Sequence, residues 1–163
     1  MESRTLFVAA IFGGLLFLGG KKAVDLSKAS ANEKKYAPVI EAAEKKYGIP
    51  AGLLHRLIKQ ESHFRTDIIT GAKVSPVGAL GIAQFMPATA KEQGVNPLDP
   101  VASIDAAGRY LAKLNTSLKS WPKAVGAYNW GIGRVTKAAR DYGDNWLARA
   151  PAETQNYVKD VMA

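Results

Sequence analysis

The residue best placed by its surroundings to do chemistry is Glu61, in the string QESHF. The spacing predicts a helix over 51–64, AGLLHRLIKQESHF, with Leu53, Leu54, Leu57, Ile58 and Glu61 near one face. An apolar stripe therefore runs directly to a carboxylate near the carboxyl end of its helix. There the helix macrodipole disfavours negative charge, and apolar neighbours penalise ionisation by desolvation. Both effects raise a carboxyl pKa, as a general acid working near neutral pH requires. A solvated glutamate on a polar face is the plainer alternative. The other carboxylate close in sequence is Asp67, which reads equally as a turn residue. The chain has no cysteine, and its two histidines, His55 and His63, bring no third ligand at a zinc-site spacing, so no metal is expected.

The elements that must position Glu61 are mostly helical. Tyr36, Val39, Ile40, Ala43 and Tyr47 recur at helical spacing over 33–47, with Gly48 as a stop and Pro50 opening the next element. Over 65–83 the periodicity fails. Glycines at 71, 78 and 81 and Pro76 predict a loop with a small hairpin or irregular strands. Helices resume after Pro87 and across 101–118, 121–130 and 134–142, and Pro151 suits the first position of a last helix, AETQNYVKDVM. The 163 residues make one domain and a short appendage, and 47% apolar residues suffice for a core without disulfides.

Four strings, QESHF, SPVGALGIAQFMPATA, AYNWGIGRV and ETQNYV, resemble in order the signature blocks of the soluble lytic transglycosylase family. The resemblance runs from about Glu33 to the end. It implies a lysozyme-like α+β domain over 33–163, helical with a small β or irregular element. It also implies cleavage of the bond between N-acetylmuramic acid and N-acetylglucosamine in peptidoglycan, with closure of a 1,6-anhydro ring and no cofactor. By the same resemblance Glu61 is the catalytic acid/base and Ser62 its neighbour at the site. Ser75, Gln84 and Met86 line the sugar cleft, Tyr128 and Asn129 stand beside the acid and the glycan, and Tyr157 hydrogen-bonds near the acid. Glu153 and Thr154 belong to the last block, where a helix-start role suits them.

Each of these residues has a structural alternative. Ser75 equally starts a Ser-Pro turn, Met86 equally fills a core, and Gln84 and Asn129 equally satisfy buried backbone groups. Tyr128 and Tyr157 equally pack. Glycines 78, 81 and 131 are expected to serve backbone geometry. The chain departs from the common pattern in a longer stretch between Glu61 and Ser75. It also carries Ala83 in place of a methionine and Trp130 in place of a small alanine, the latter setting a ring that could stack on sugar beside the cleft. Competing readings are a hydrolase using Asp67 as second carboxylate, and a wall-binding module without catalysis.

The formal charge of +8 favours an anionic partner. Lys and Arg are dispersed and no nucleic-acid motif accompanies them, which leaves the carboxylate-bearing wall ahead of nucleic acid. Residues 5–20, TLFVAAIFGGLLFLGG, are uncharged. As a helix they would span roughly 24 Å, slightly short of a bilayer core of about 30 Å. Residues 1–22 are expected to be an N-terminal membrane anchor or an uncleaved signal, and 23–32 a linker. Lys21 and Lys22 outnumber the balanced pair Glu2 and Arg4, a bias that would hold the domain on the cytoplasmic side. A wall-directed domain needs the opposite face, which leaves open a bacterial inner membrane facing the periplasm or the internal membrane of a virion. A phage particle and a cell-envelope machine are both compatible settings.

Overall fold

A computed structural model describes residues 24–163. The apolar run over 5–20, and with it the expected anchor, lies outside them. Among the described residues no helix is long and apolar enough to cross a membrane.

The domain is an assembly of helices. In chain order they are α1 (Ala31–Tyr47), α2 (Leu53–Ser62), α3 (Thr66–Ile69), α4 (Pro87–Gln93), α5 (Pro100–Leu118), α6 (Trp121–Trp130), α7 (Ile132–Tyr142), a 3-10 segment (Gly143–Arg149) and α8 (Ala152–Met162). The expected linker ends two residues early, because Ser30 caps α1 by accepting from the Glu33 N–H at 3.1 Å. Of the loop with a small hairpin or irregular strands expected over 65–83, the irregular form is what is found. The short helix α3 occupies the extra length between Glu61 and Ser75, and pairing is limited to one isolated antiparallel bridge between Leu80 and Phe85. Pro151 precedes α8 as its N-cap rather than opening the helix.

α2 lies at the centre, with Leu53, Leu54, Leu57 and Ile58 all at or below 1% exposed. α1 and α5 pack together on one side, and α6 and α8 on another, where α8 meets α2. Full burial of four aliphatic side chains contributes on the order of 6–12 kcal/mol before entropy is subtracted. That is ample to anchor one ten-residue helix. Trp146, from the 3-10 segment, lies against α6 at Gly126, where a Cβ would come within 2.6 Å of the indole. Only glycine lets the ring approach.

Both ends of α2 are held by tertiary contacts. At its start Gly52 supplies no side-chain cap. The buried Glu44 of α1 takes over, accepting from the N–H groups of Gly52 (2.8 Å) and His55 (3.2 Å). Burial raises the Glu44 pKa, and these N–H donors oppose the rise. Beneath the helix the buried Glu33 carboxylate lies 3.0 Å from Lys59 Nζ and 3.4 Å from His55 Nε2. At its far end His63 and Phe64 turn into left-handed backbone, with φ of 50° and 55°. The Asn32 amide of α1 clamps that turn by donating to the Phe64 carbonyl at 2.9 Å.

Candidate active site

Glu61 is the penultimate residue of α2, just before the left-handed turn. Part of its side chain reaches solvent, while the carboxyl is walled by protein. The Tyr157 hydroxyl, from α8, donates to Glu61 Oε1. Burial lifts the carboxyl pKa from the usual 4.5 to about 7; the Tyr157 hydrogen bond opposes the rise and the negative charge of Glu153 adds to it. Near neutral pH such a group exists in both forms, so it can give a proton and take one back.

The last two sequence blocks reach this carboxyl through Tyr128 and Tyr157. Tyr128, in α6, donates its hydroxyl to the Ala83 carbonyl at 2.9 Å. Its ring lies between Phe85 and Tyr110, with centroids 6.1 and 5.6 Å away. Burial pushes the Tyr128 and Tyr157 hydroxyls well above the usual tyrosine range, and the nearby Glu61 charge pushes both further. Both phenols are therefore neutral donors across the range in which Glu61 titrates. Asn129 follows Tyr128, and its Oδ1 accepts from the buried Thr154 hydroxyl at 2.7 Å. That bond turns the amide NH2 away from Thr154 and leaves it available as a donor.

The Leu80–Phe85 turn carries the second block. Gln84 sits at φ 47°, and its amide Nε2 donates to the Gly81 carbonyl at 2.9 Å, leaving Oε1 as a spare acceptor. Gly81 is at φ 74°, and a Cβ there would lie 1.8 Å from the Pro97 carbonyl oxygen. Gly78 and Gly131 also have positive φ, so all three glycines serve backbone geometry as expected.

Two of the expected contacts are taken up within the fold. Ser62 is fully buried; it donates to the Ile58 carbonyl (3.1 Å) and accepts from the Phe64 N–H (3.2 Å). Its hydroxyl fastens the end of α2 behind Glu61 and is not presented to a ligand. Ser75 forms the Ser-Pro turn, accepting from the Ala79 N–H at 2.8 Å. The Trp130 ring lines a groove with residues of α7 and the 3-10 segment. Met86 is 41% exposed at the head of α4, which removes the core alternative and leaves its side chain accessible.

Glu153 and Thr154 do lie at the start of α8, but periodicity did not reveal that Thr154 is a buried donor to Asn129 or that the charge of Glu153 acts on Glu61. Their position three and four residues before Tyr157 is the one signal that could have drawn attention to them. Asp67, by contrast, is clasped by Arg65 at 3.1 and 2.5 Å and capped by the Ile68 N–H. The Arg65 hydrogen bond holds its pKa below the usual carboxylate range.

The family model for the transglycosylase SLT domain matches residues 38–146, more than half of the chain. A membrane-bound lytic murein transglycosylase F of Stutzerimonas stutzeri is 32% identical over 115 residues, covering 65% of this chain and 22% of the relative. A transglycosylase of Enterobacteria phage PRD1 is 32% identical over 100 residues, covering 56% of this chain and 36% of the relative. The X-ray structure of an inactive glutamate-to-glutamine mutant of the lytic transglycosylase Slt from Pseudomonas aeruginosa superposes with a TM-score of 0.66 at 25% identity. It covers 78% of this chain and 22% of the other. The chain thus spans about a quarter of the length of the first curated relatives it matches. With an SLT model matched over most of its helices and a lysozyme-like fold built round Glu61, the chain belongs to the transglycosylase SLT domain family.

Proposed function

We propose that this protein is a peptidoglycan lytic transglycosylase with Glu61 as its acid/base. The observation that carries the reading is the Glu61 carboxyl, raised to about 7, hydrogen-bonded by Tyr157 and near enough to Tyr128 for its charge to act there. In the reaction protonated Glu61 gives its proton to the glycosidic oxygen as the C1–O4 bond of the N-acetylmuramyl residue breaks. The N-acetyl oxygen shelters the positive charge that develops at C1. Glu61, now ionised, takes the proton of the same sugar's C6 hydroxyl, whose oxygen closes on C1. The anhydro ring and the restored acid leave atoms and charge balanced. Tyr128, Asn129, Gln84 and the accessible Met86 are assigned to holding the glycan, the polar ones by hydrogen bonds that fix the reacting sugar.

A hydrolase needs a second carboxylate to activate water. Asp67 suits that task poorly because Arg65 occupies its oxygens. Glu153, whose charge reaches Glu61, is the better claimant and keeps the hydrolase as the runner-up. The apolar run over 5–20 and the membrane-bound relatives support anchoring by the amino terminus, with the domain facing a wall. The phage relative supports a virion as one setting, beside a cell-envelope machine.

The test is to incubate the full chain with purified peptidoglycan and weigh the released fragments, with Glu61→Gln as control. Fragments ending in 1,6-anhydro sugar, absent with the variant, are expected. Fragments one water heavier, lost in Glu153→Gln, would replace this reading by the hydrolase. Release of neither would leave a wall-binding module.

A further inference from the structure

On the α7 side of the molecule is a groove of about 280 Å³ lined by Trp130, Arg134, Lys137, Asp141, Tyr142 and Arg149. α7 turns Val135 and Ala138 into the core, which sets Arg134, Lys137 and Asp141 along its outer face at helical spacing. The 3-10 segment brings Arg149 to the same groove. Tyr142 is 49% exposed there, and the partly buried Trp130 closes the α6 end. Aromatic rings left uncovered in a concave, polar-rimmed site suit a ligand with both an apolar body and polar groups.

The charges define the polar part of that ligand. Lys137 and Arg140 (the latter at 3.0 Å) both pair with Asp141, so the one carboxylate of the groove is already matched. The Arg149 guanidinium lies 5.0 Å from the centre of the Tyr142 ring. Arg134 spends one donor on the Trp130 carbonyl at 3.2 Å. Neither arginine has a carboxylate partner among the described residues. Two planar forks beside aromatic rings present the geometry that binds carboxylates bidentately. Trp130 directly follows Asn129, and consecutive side chains on a helix diverge by about 100°. Trp130 thus sets one end of the groove one residue along α6 from the amide assigned to the glycan.

We propose that the groove bounded by Arg134, Arg149, Trp130 and Tyr142 is a subsite for the carboxylate-bearing stem peptide of the peptidoglycan strand. The proposal rests on the function inferred above, since that substrate carries stem peptides on its muramyl residues. The glycan lies across Glu61, and a stem peptide runs over the Trp130 and Tyr142 rings with a carboxylate between the arginines.

The test compares the full chain with its Arg134→Gln/Arg149→Gln variant on peptide-bearing strands and on strands stripped of their peptides. KM on peptide-bearing strands is expected to rise about 5-fold in the variant, the size suited to exposed charge-assisted hydrogen bonds. KM on stripped strands and kcat on both substrates stay unchanged. An equal change on the two substrates, or none on either, overturns the subsite. Titrating the full chain with a free stem tetrapeptide, followed by tryptophan fluorescence, decides the matter independently of turnover. Saturable binding, weakened about 5-fold in the same variant, is expected; inorganic phosphate binding as tightly, or a carboxyl-amidated peptide binding equally well, overturns it. Failure of the catalytic reading would show separately, as no anhydro product from either strand, with the peptide titration still deciding the groove.

Discussion

Replacing Glu61 by glutamine removes a charge that the fold resists burying, and the cost of that charge is set by pH. In the unfolded chain the carboxyl titrates near the usual 4.5; in the folded protein burial holds it at about 7. Between those values the folded state keeps a proton that the unfolded state has lost. Stability therefore falls as pH rises, by about 1.4 kcal/mol per pH unit. The full effect, on the order of 3 kcal/mol, is present above pH 7 and absent below pH 4.5. Glutamine keeps the shape and an acceptor for the Tyr157 hydroxyl but never ionises. At pH 4 variant and parent should thus be equally stable, and at pH 7.5 the variant should be more stable by about 3 kcal/mol, a rise of roughly 10 °C in Tm. Glu44, also raised by burial, titrates with the same sign but is common to both proteins and cancels in the difference. Denaturant unfolding at several pH values gives the curve, with a constant m-value certifying the comparison. A stability difference that does not change between pH 4 and pH 7.5 would refute the raised pKa and, with it, the assignment of Glu61 as a general acid.

The Tyr157 hydroxyl lowers the Glu61 pKa, so Tyr157→Phe should raise it: the alkaline limb of kcat/KM, near 7 in the parent, moves to higher pH while the maximum falls about 10-fold or more. Thr154→Val leaves the Asn129 Oδ1 without its donor and should cost about 1–2 kcal/mol in kcat/KM, mostly through KM. Thr154→Ser, which keeps the hydroxyl, should restore most of that loss in the same steady-state assay. Gly81→Ala drives a Cβ into the Pro97 carbonyl at a left-handed position, so a loss of 3 kcal/mol or more is expected in denaturant unfolding. Activity falls in that variant even where it stays folded, because the displaced turn carries the Ala83 carbonyl that holds Tyr128.

The helices were legible because their apolar faces repeat at 3.6 residues, and Glu61 because its stripe of leucines ends on a carboxylate. The segment over 65–83 is legible only as a loop with a hairpin or irregular strands, because glycine, proline and β-branched residues signal turns without saying whether strands lie between them. Here the turn closes through one bridge, and the extra length coils into α3. The 3-10 segment was missed because its buried Trp146 finds its place only through Gly126, twenty residues earlier in another element.

The same distinction runs through the site. Ser62, adjacent to the acid in sequence, is turned inward to close its helix, while Tyr157, 96 residues away, touches it. Local pattern reports which face of an element is apolar; it is silent on which polar side chains meet across elements, and acid/base chemistry depends on those meetings. α8 shows how economically the meetings are arranged. Thr154 and Tyr157, three residues apart on one helix face, reach Asn129 and Glu61 respectively, so one rigid element fixes both the Asn129 amide and the Glu61 carboxyl. A shift of α8 would therefore misplace the donor to the acid and the orientation of the amide together, and substitutions at the two positions should be coupled through the helix, not additive.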